Sequence, residues 1–408
     1  METRKSTRLA EKYKHLQINQ QNAYAKDQNK LDPLEGINNY LHPLIFQHLN
    51  MSEILCLSTV SRQWYYEIGM SEQCMNRMLL KINVIPPHGI FSFKKLPSIK
   101  TKRQIYSKLT TVRKTTMRRY KYISINTNNV ENISYQAIKL VMALAPSVVQ
   151  MTLLNLKVPP TRKLNSVKFP SLTKLIINNA DPYVQRILFQ GMTDLIELRI
   201  YEHFDPDIQP ILACLKNNYK LKELYIWNTG IGDLFSTYEP DSFQFQLEDF
   251  STGSEGIISN EAETNLMKFL DSQKDTLTTF FLRVGMSILR NSVVFGLFTL
   301  PNLVTLHINS YILLHRISIE TNSSVKAFNF GWHIASKEAT MGVLDAIPEV
   351  EVITIEHMTK SFLRHAVKNL KKLWRIRYTK GKACQKCFNA ILATRKDYYP
   401  KIQLIRMD

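Results

Sequence analysis

This 408-residue chain is short of the residues that chemistry on small molecules calls for. Its thirteen glycines are spread thinly, and none build a phosphate-cradling loop. Five cysteines (Cys56, Cys74, Cys214, Cys384 and Cys387) are too few and too scattered for a disulfide framework. That fits a reducing cytoplasmic or nuclear setting. Cys384-x-x-Cys387 is the one close pair, and with no second Cys or His pair beside it a four-ligand zinc site cannot be assembled locally. The ten histidines are dispersed, and no nucleophile stands at a spacing that would give it a base. The sequence points to a binding protein and not an enzyme, with no cofactor or metal. No apolar run approaches the roughly 18 residues of a membrane span. The opening Met-Glu-Thr-Arg-Lys-Ser-Thr-Arg lacks the apolar region of a secretory signal.

Charge of one sign is missing in two places. No acidic residue occurs between Glu72 and Glu131, where Lys and Arg recur and supply much of the +19 formal charge. This stretch is either a site for an anionic partner (RNA, DNA or an acidic protein surface) or a solvated basic face. Tyr106, Leu109 and Val112 place an apolar stripe along a helix through Ser107–Met117 within it. The converse holds from Glu223 to Met267, which has no Lys or Arg while acidic residues accumulate. Inside it, Thr229–Gln246 has no helical period and reads as an irregular insertion, either a binding element or a solvated loop. Residues 1–30 are polar, with little to bury, and read as a disordered basic tail.

What is present falls into two patterns. The first is Ile37–Glu67. Leu41, Ile45 and Leu49 recur at i, i+4 and i+8 with Phe46 beside them, one apolar helical face. Asn50 and Glu53 have capping-box spacing before a second helix through Ile54, Leu55 and Leu57. Val60 and Trp64 lie one turn apart in a third. Three such short helices bury little of their own surface and need something to pack against. The residues Ile45-Phe46-x-x-Leu49, Ile54, Val60 and Trp64, with the ending Ser61-Arg62-Gln63-Trp64, resemble an F-box. The start departs from that family's pattern: Ile37-Asn38 stands where Leu-Pro is usual, Tyr40 where an acidic residue is common, and Pro43 where the first helix normally runs on. The resemblance implies docking on a Skp adaptor through Leu41, Ile45, Phe46, Leu49, Ile54, Val60 and Trp64.

The second pattern is a triplet of apolar residues spaced three and then two apart. It runs from Tyr120-Ile123-Ile125 through Leu172-Leu175-Ile177, Leu221-Leu224-Ile226 and Leu303-Leu306-Ile308 to Ile402-Ile405-Met407, in twelve copies. Successive copies start 22 to 30 residues apart. Residues two apart on a strand face the same way, so the last two of each triplet point into a core. Helical stretches lie between: Tyr135–Leu144, Asp207–Leu215, Asn260–Leu270, Lys337–Ile347, Ser361–Leu370 and Cys384–Arg395. Asp181-Pro182 reads as an N-cap followed by Pro at the first helical position, and Asn260 and Glu263 as a capping box. The pattern and period resemble leucine-rich repeats. The buried Asn of that family, three residues after the last strand position, is present here only at Asn128, with Thr229 as a substitute.

The fold class expected is α/β: a three-helix F-box followed by a repeat solenoid, curved parallel sheet inside and helices outside. The boundaries read as 1–30 tail, 31–78 F-box, 79–119 basic linker and 120–408 repeats. Together the two resemblances imply a substrate receptor of a cullin–RING (SCF-type) ubiquitin ligase. The F-box would dock the Skp adaptor and through it the cullin, and the repeats would capture a target protein. The outward strand positions Arg199, Tyr201, Tyr225, Trp227, His307, Arg375 and Arg377 are the candidate target-binding residues, since Tyr, Trp and Arg most often dominate binding energy. A nucleic-acid-associated scaffold using the basic segment is the alternative.

Overall fold

In the computed structural model, the described residues are 41–83, 104–107, 109–110, 113, 119–159, 161–201, 208–227, 234–235, 243–254, 259–289, 291–312, 319–331, 337–381, 385–396 and 399–407. The expected tail, the Ile37–Tyr40 start, Cys384, and most of the 79–119 linker and of the acidic insertion lie outside them. The chain divides into two compact units, residues 1–78 with 117–120, and residues 79–116 with 121–408.

The first unit has four described helices, α1 His42–His48, α2 Met51–Leu57, α3 Arg62–Met70 and the short α4 Glu72–Met75. Side chains set their limits. Asn50 and Glu53 close the expected capping box, with Glu53 N–H donating to Asn50 Oδ1 at 3.0 Å and Asn50 N–H to Glu53 Oε2 at 2.6 Å. Ser61 and Ser71 accept from the first turns of α3 and α4. Arg77 donates to the carbonyls of Phe46 and Leu49, satisfying the C-terminal end of α1 with a cation. Phe46, Ile54, Trp64, Ile68, Cys74, Met75 and Met78 form the core, with Tyr120, the first residue of the first triplet, packed against it.

The second unit is built on one sheet of thirteen parallel strands in strict chain order. They are β1 Leu79–Asn83, β2 Tyr122–Asn126, β3 Gln150–Leu156, β4 Lys174–Ala180, β5 Glu197–Tyr201, β6 Glu223–Trp227, β7 Asp249–Ser254, β8 Thr279–Leu289, β9 Thr305–Ile312, β10 Ala327–Gly331, β11 Val352–Met358, β12 Arg375–Gly381 and β13 Gln403–Arg406. Each of the twelve triplets falls on one of β2–β13. β1 adds a thirteenth strand at the head of the span read as a linker, pairing Leu79–Asn83 with Tyr122–Asn126. The helices are α5 Glu131–Leu144, α6 Pro182–Phe189, α7 Ile208–Asn217, α8 Asn260–Ser272, α9 Asn291–Phe298, α10 Lys337–Asp345, α11 Lys360–Asn369 and α12 Gln385–Leu392. Parallel crossovers are nearly always right-handed, so strands laid down in one direction put every helix on the same side. The strand burial follows: in β2, β4, β6 and β11 buried residues alternate with half-exposed ones. The architecture is compatible with a repeat solenoid.

The junctions between repeats are as regular as the strands. A carbonyl entering each strand accepts two N–H groups from the next repeat, from Lys121 (Val149 and Gln150) through Ile196 (Lys222 and Glu223) to Glu351 (Trp374 and Arg375). Buried side chains close several corners. Asn218 donates to the carbonyls of Met192 (3.0 Å) and Cys214 (2.7 Å) and accepts from Leu195 N–H (2.9 Å). Gln273 and Asn322 play similar parts. Arg395 donates to the carbonyls of Val367, Leu370, Lys371 and Leu373 at the last corners. Gly191 is required where the helix-free β3–β4 connection passes, because a Cβ there would lie 1.8 Å from the Val167 carbonyl oxygen.

Three details differ from the sequence reading. The α8 cap is Ser259, whose Oγ accepts from Ala262 N–H, one residue before the expected Asn260 box. The stacked asparagines are not at the Asn128 position: Asn155 donates to Asn126 Oδ1 and Asn179 to Asn155 Oδ1, with Asn155 and Asn179 at positive φ. Asparagine tolerates that conformation and its side chain bonds locally. In β13, Leu404 and not Ile405 pairs in register with the inward Ile376, and Ile405 is exposed. The run Ile402-x-Leu404-Ile405 is apolar in either register, and the Gln403 N–H bond to the Trp374 carbonyl sets the pairing.

Candidate functional site

The helix-free face of the sheet carries one residue per strand at the position between the two inward apolar residues. In register these run Ser124, Thr152, Ile176, Arg199, Tyr225, Ser251, Phe281, His307, Asn329, Thr354, Arg377. The row two residues earlier includes Lys174, Glu197, Glu223, Asp249 and Arg375; the row two later includes Tyr201, Trp227 and Gly253.

Across β4–β7 these rows form a polar network. Lys174 Nζ lies 2.5 Å from Glu197 Oε2, and Arg199 pairs with Glu197 and lies 3.7 Å from Glu223. The Arg199 guanidinium sits over the Tyr225 ring at 4.0 Å. The Tyr225 hydroxyl donates to Asp249 Oδ2 at 2.8 Å, with Glu223 Oε2 3.3 Å away. Burial, reinforced by the neighbouring Glu223 charge, pushes the Asp249 carboxyl up, while the Tyr225 hydrogen bond opposes it. Burial and the Asp249 contact push the Tyr225 phenol up as well.

Beside the network lies an aromatic ridge. The Trp227 ring crosses β7 and meets Phe281 on β8, centroids 4.9 Å apart. It can do so because β7 has Gly253 beneath it: a Cβ there would stand 2.9 Å from the indole. Phe281 then contacts His307, centroids 3.6 Å apart, and His307 Nδ1 lies 2.9 Å from Asn329 Nδ2. Burial lowers the His307 pKa to about 4, which keeps the ring neutral near pH 7.

Of the seven candidate target-binding residues, Arg199, Tyr201, Tyr225 and Trp227 are neighbours on β5 and β6. His307 joins them through Phe281. Arg375 and Arg377 stand on β12, about 29 Å from β6 at six strand spacings; Arg375 packs on Trp374 and Arg377 is exposed. Sequence reasoning passed over Phe281, Glu197, Glu223 and Asp249. Their repeat position was the available signal, since Phe281 occupies the same outward place as Tyr225 and His307.

The adaptor-docking candidates divide by burial. Phe46 (1 % exposed), Ile54 and Trp64 are core of the helical unit, Ile45 and Leu49 are half-buried, and Leu41 and Val60 (53 %) are exposed. Leu44, Leu55, Tyr66 and Met70 are exposed on the same unit. In the described part of the acidic insertion Leu234, Phe235 and Phe245 are buried, with Phe235 and Phe245 packed on Phe269 of α8, Phe243 is half-buried, and Gln244 and Gln246 are exposed. Among the described residues no group of His, Cys, Asp and Glu is placed to hold a metal, and no helix is long and apolar enough to cross a membrane. Compared with models of known families the chain matches none, and no curated protein gives a significant match.

Proposed function

We propose that this protein is a substrate-recognition adaptor of a cullin–RING (SCF-type) ubiquitin ligase. The N-terminal helices dock the Skp adaptor and through it the cullin, and the helix-free sheet face holds a target protein. The observation that carries the reading is the exposed apolar set on a self-contained helical unit. Leu41, Leu44, Leu55 and Val60 are exposed although Phe46, Ile54 and Trp64 already complete a core. Apolar side chains spared from a small core and left in water suit a protein partner. The mechanism is proximity: a target held near a ubiquitin-charged enzyme reacts at a raised effective concentration, with no bond chemistry in this chain.

The test is affinity purification followed by mass spectrometry for the Skp adaptor and a cullin. Leu44→Ala, Leu55→Ala and Val60→Ala together remove exposed side chains only, so the unit stays folded and the adaptor is lost. Buried interface anchors cost roughly 2 kcal/mol or more each on truncation. A folded triple variant that keeps the adaptor at wild-type levels overturns the docking surface. Recovery of nucleic acid in place of the adaptor, with binding that falls steeply with salt, would favour a nucleic-acid-associated scaffold.

A further inference from the structure

The last two helices frame a second surface that the adaptor reading leaves unused. A groove of about 770 Å³ runs between α11 and α12 on the helical side of the sheet. Its lining separates by chemistry. Val367, Ala390 and Ile391 give an apolar floor, and Lys360, Arg364, Lys368 and Lys396 supply cationic groups, while among the described lining residues none is acidic.

The sequence of α11 explains the division. Phe362, Leu363, Ala366 and Val367 face the core. His365 and Asn369 turn to Asp345 at the end of α10, with His365 Nε2 2.7 Å from Asp345 Oδ1. Lys360, Arg364 and Lys368 recur every fourth residue, so they form one exposed row rising about 6 Å per step. Several other lysines of this unit are spent on carboxylates: Lys174 on Glu197, Lys220 on Asp194, Lys222 on Glu248, and Lys326 and Lys372 on Glu349. Among the described residues none of the three in this row pairs with a carboxylate. Three like charges left side by side above an apolar floor repel one another unless an anionic group joins them. The surroundings add to the field: from Lys360 to Asp408 the chain has fourteen Lys or Arg against two Asp.

We infer that this groove binds an acidic amphipathic peptide segment of a partner protein. Its carboxylates lie along the Lys360–Arg364–Lys368 row and its apolar side chains rest on Val367, Ala390 and Ile391. A charged row alone would serve a nucleic-acid backbone equally well. The apolar floor favours the peptide, because a segment docking into a groove gains affinity from apolar anchors at its centre and polar contacts at its rim. The inference does not rest on the ligase reading.

The experiment uses the full chain and fluorescence anisotropy with a labelled sixteen-residue probe peptide, Glu and Asp on one helical face and Leu and Phe on the other. Polyglutamate of equal charge and a single-stranded oligonucleotide are measured in parallel. The expected result is saturable binding of the probe peptide, at least tenfold tighter than either control. Lys360→Glu with Arg364→Glu and Lys368→Glu weakens it at least tenfold. Ala390→Trp fills the floor from an exposed position without touching the charge, and it lowers peptide affinity while leaving oligonucleotide binding unchanged. Thermal melting confirms folding, and Lys368→Gln, a smaller change, should weaken peptide binding severalfold if the triple reversal fails to fold. Peptide binding indifferent to Lys368→Gln and Ala390→Trp overturns the site. An oligonucleotide that binds as tightly as the peptide overturns the assignment of its ligand.

Discussion

His307 is held in a site that excludes its charged form. Its ring lies against Phe281 and is half-buried, and burial brings its pKa from the ordinary histidine value down to about 4. In the unfolded chain the same group takes a proton below about pH 6.5. Between those values the unfolded state binds more protons, so His307 makes stability fall as pH drops through this window, by up to about 3 kcal/mol. Urea midpoints at pH 7 and pH 4.5 should differ more in the wild type than in His307→Gln. Equal differences would place the histidine in solvent. Trp227 is the companion case: it lies on the sheet surface, so Tyr201→Ala with Trp227→Ala should leave melting within a few degrees while target binding is lost. Gly253→Val, which drives a side chain under the indole, should move Trp227 off Phe281 and lose the target in the same way. A double variant that unfolds would put these rings in the core; one that folds and keeps its target would move the binding site along the sheet.

At the scale of the element, corners matter as much as strands. Asn218 is buried and satisfies three backbone groups of the α7 corner. Alanine there strands those groups without water, a loss of about 2 kcal/mol. Asn218→Ala should lower the melting temperature by a few degrees, while exposed Asn217→Ala leaves it unchanged. If the two variants melt together, the backbone groups find other partners and the corner role is wrong. The triplets made the strands legible because a period of two records which side chains share a face. The corner amides were not legible: Asn218 and Asn322 share a place three residues before their triplets and Gln273 sits one earlier, but most triplets have an apolar residue there, such as Ala145, Phe169 and Leu300. β13 shows the limit within a strand: where consecutive residues are both apolar, local pattern does not choose between registers.

Among the described residues, each of the two units has a core of its own. Phe46 and Ile54 belong to the helical one and the triplet residues, such as Leu224, to the sheet. Separate cores make unfolding depart from a single two-state transition. Phe46→Ala should lower only the transition of the helical unit, by about 3–5 kcal/mol, and Leu224→Ala only that of the sheet, by about 2–5 kcal/mol. Calorimetry on the full chain resolves the two. One transition that shifts in both variants would mean that the units unfold as one.

From its sequence alone this chain settles its α/β class, its strand count to within β1, and the face that each triplet but the last turns inward. All three are local properties, recorded by periods of two to four residues and by a repeat of 22 to 30. Tertiary structure alone decides what those periods leave open. The apolar helical positions Phe46, Ile54 and Trp64 fill the unit's own core while Leu41 and Val60 stay outside, because burial depends on which helix arrives opposite. Trp227 meets Phe281 across Gly253, residues on three strands, because parallel strands in register bring together positions that lie two repeats apart in the chain.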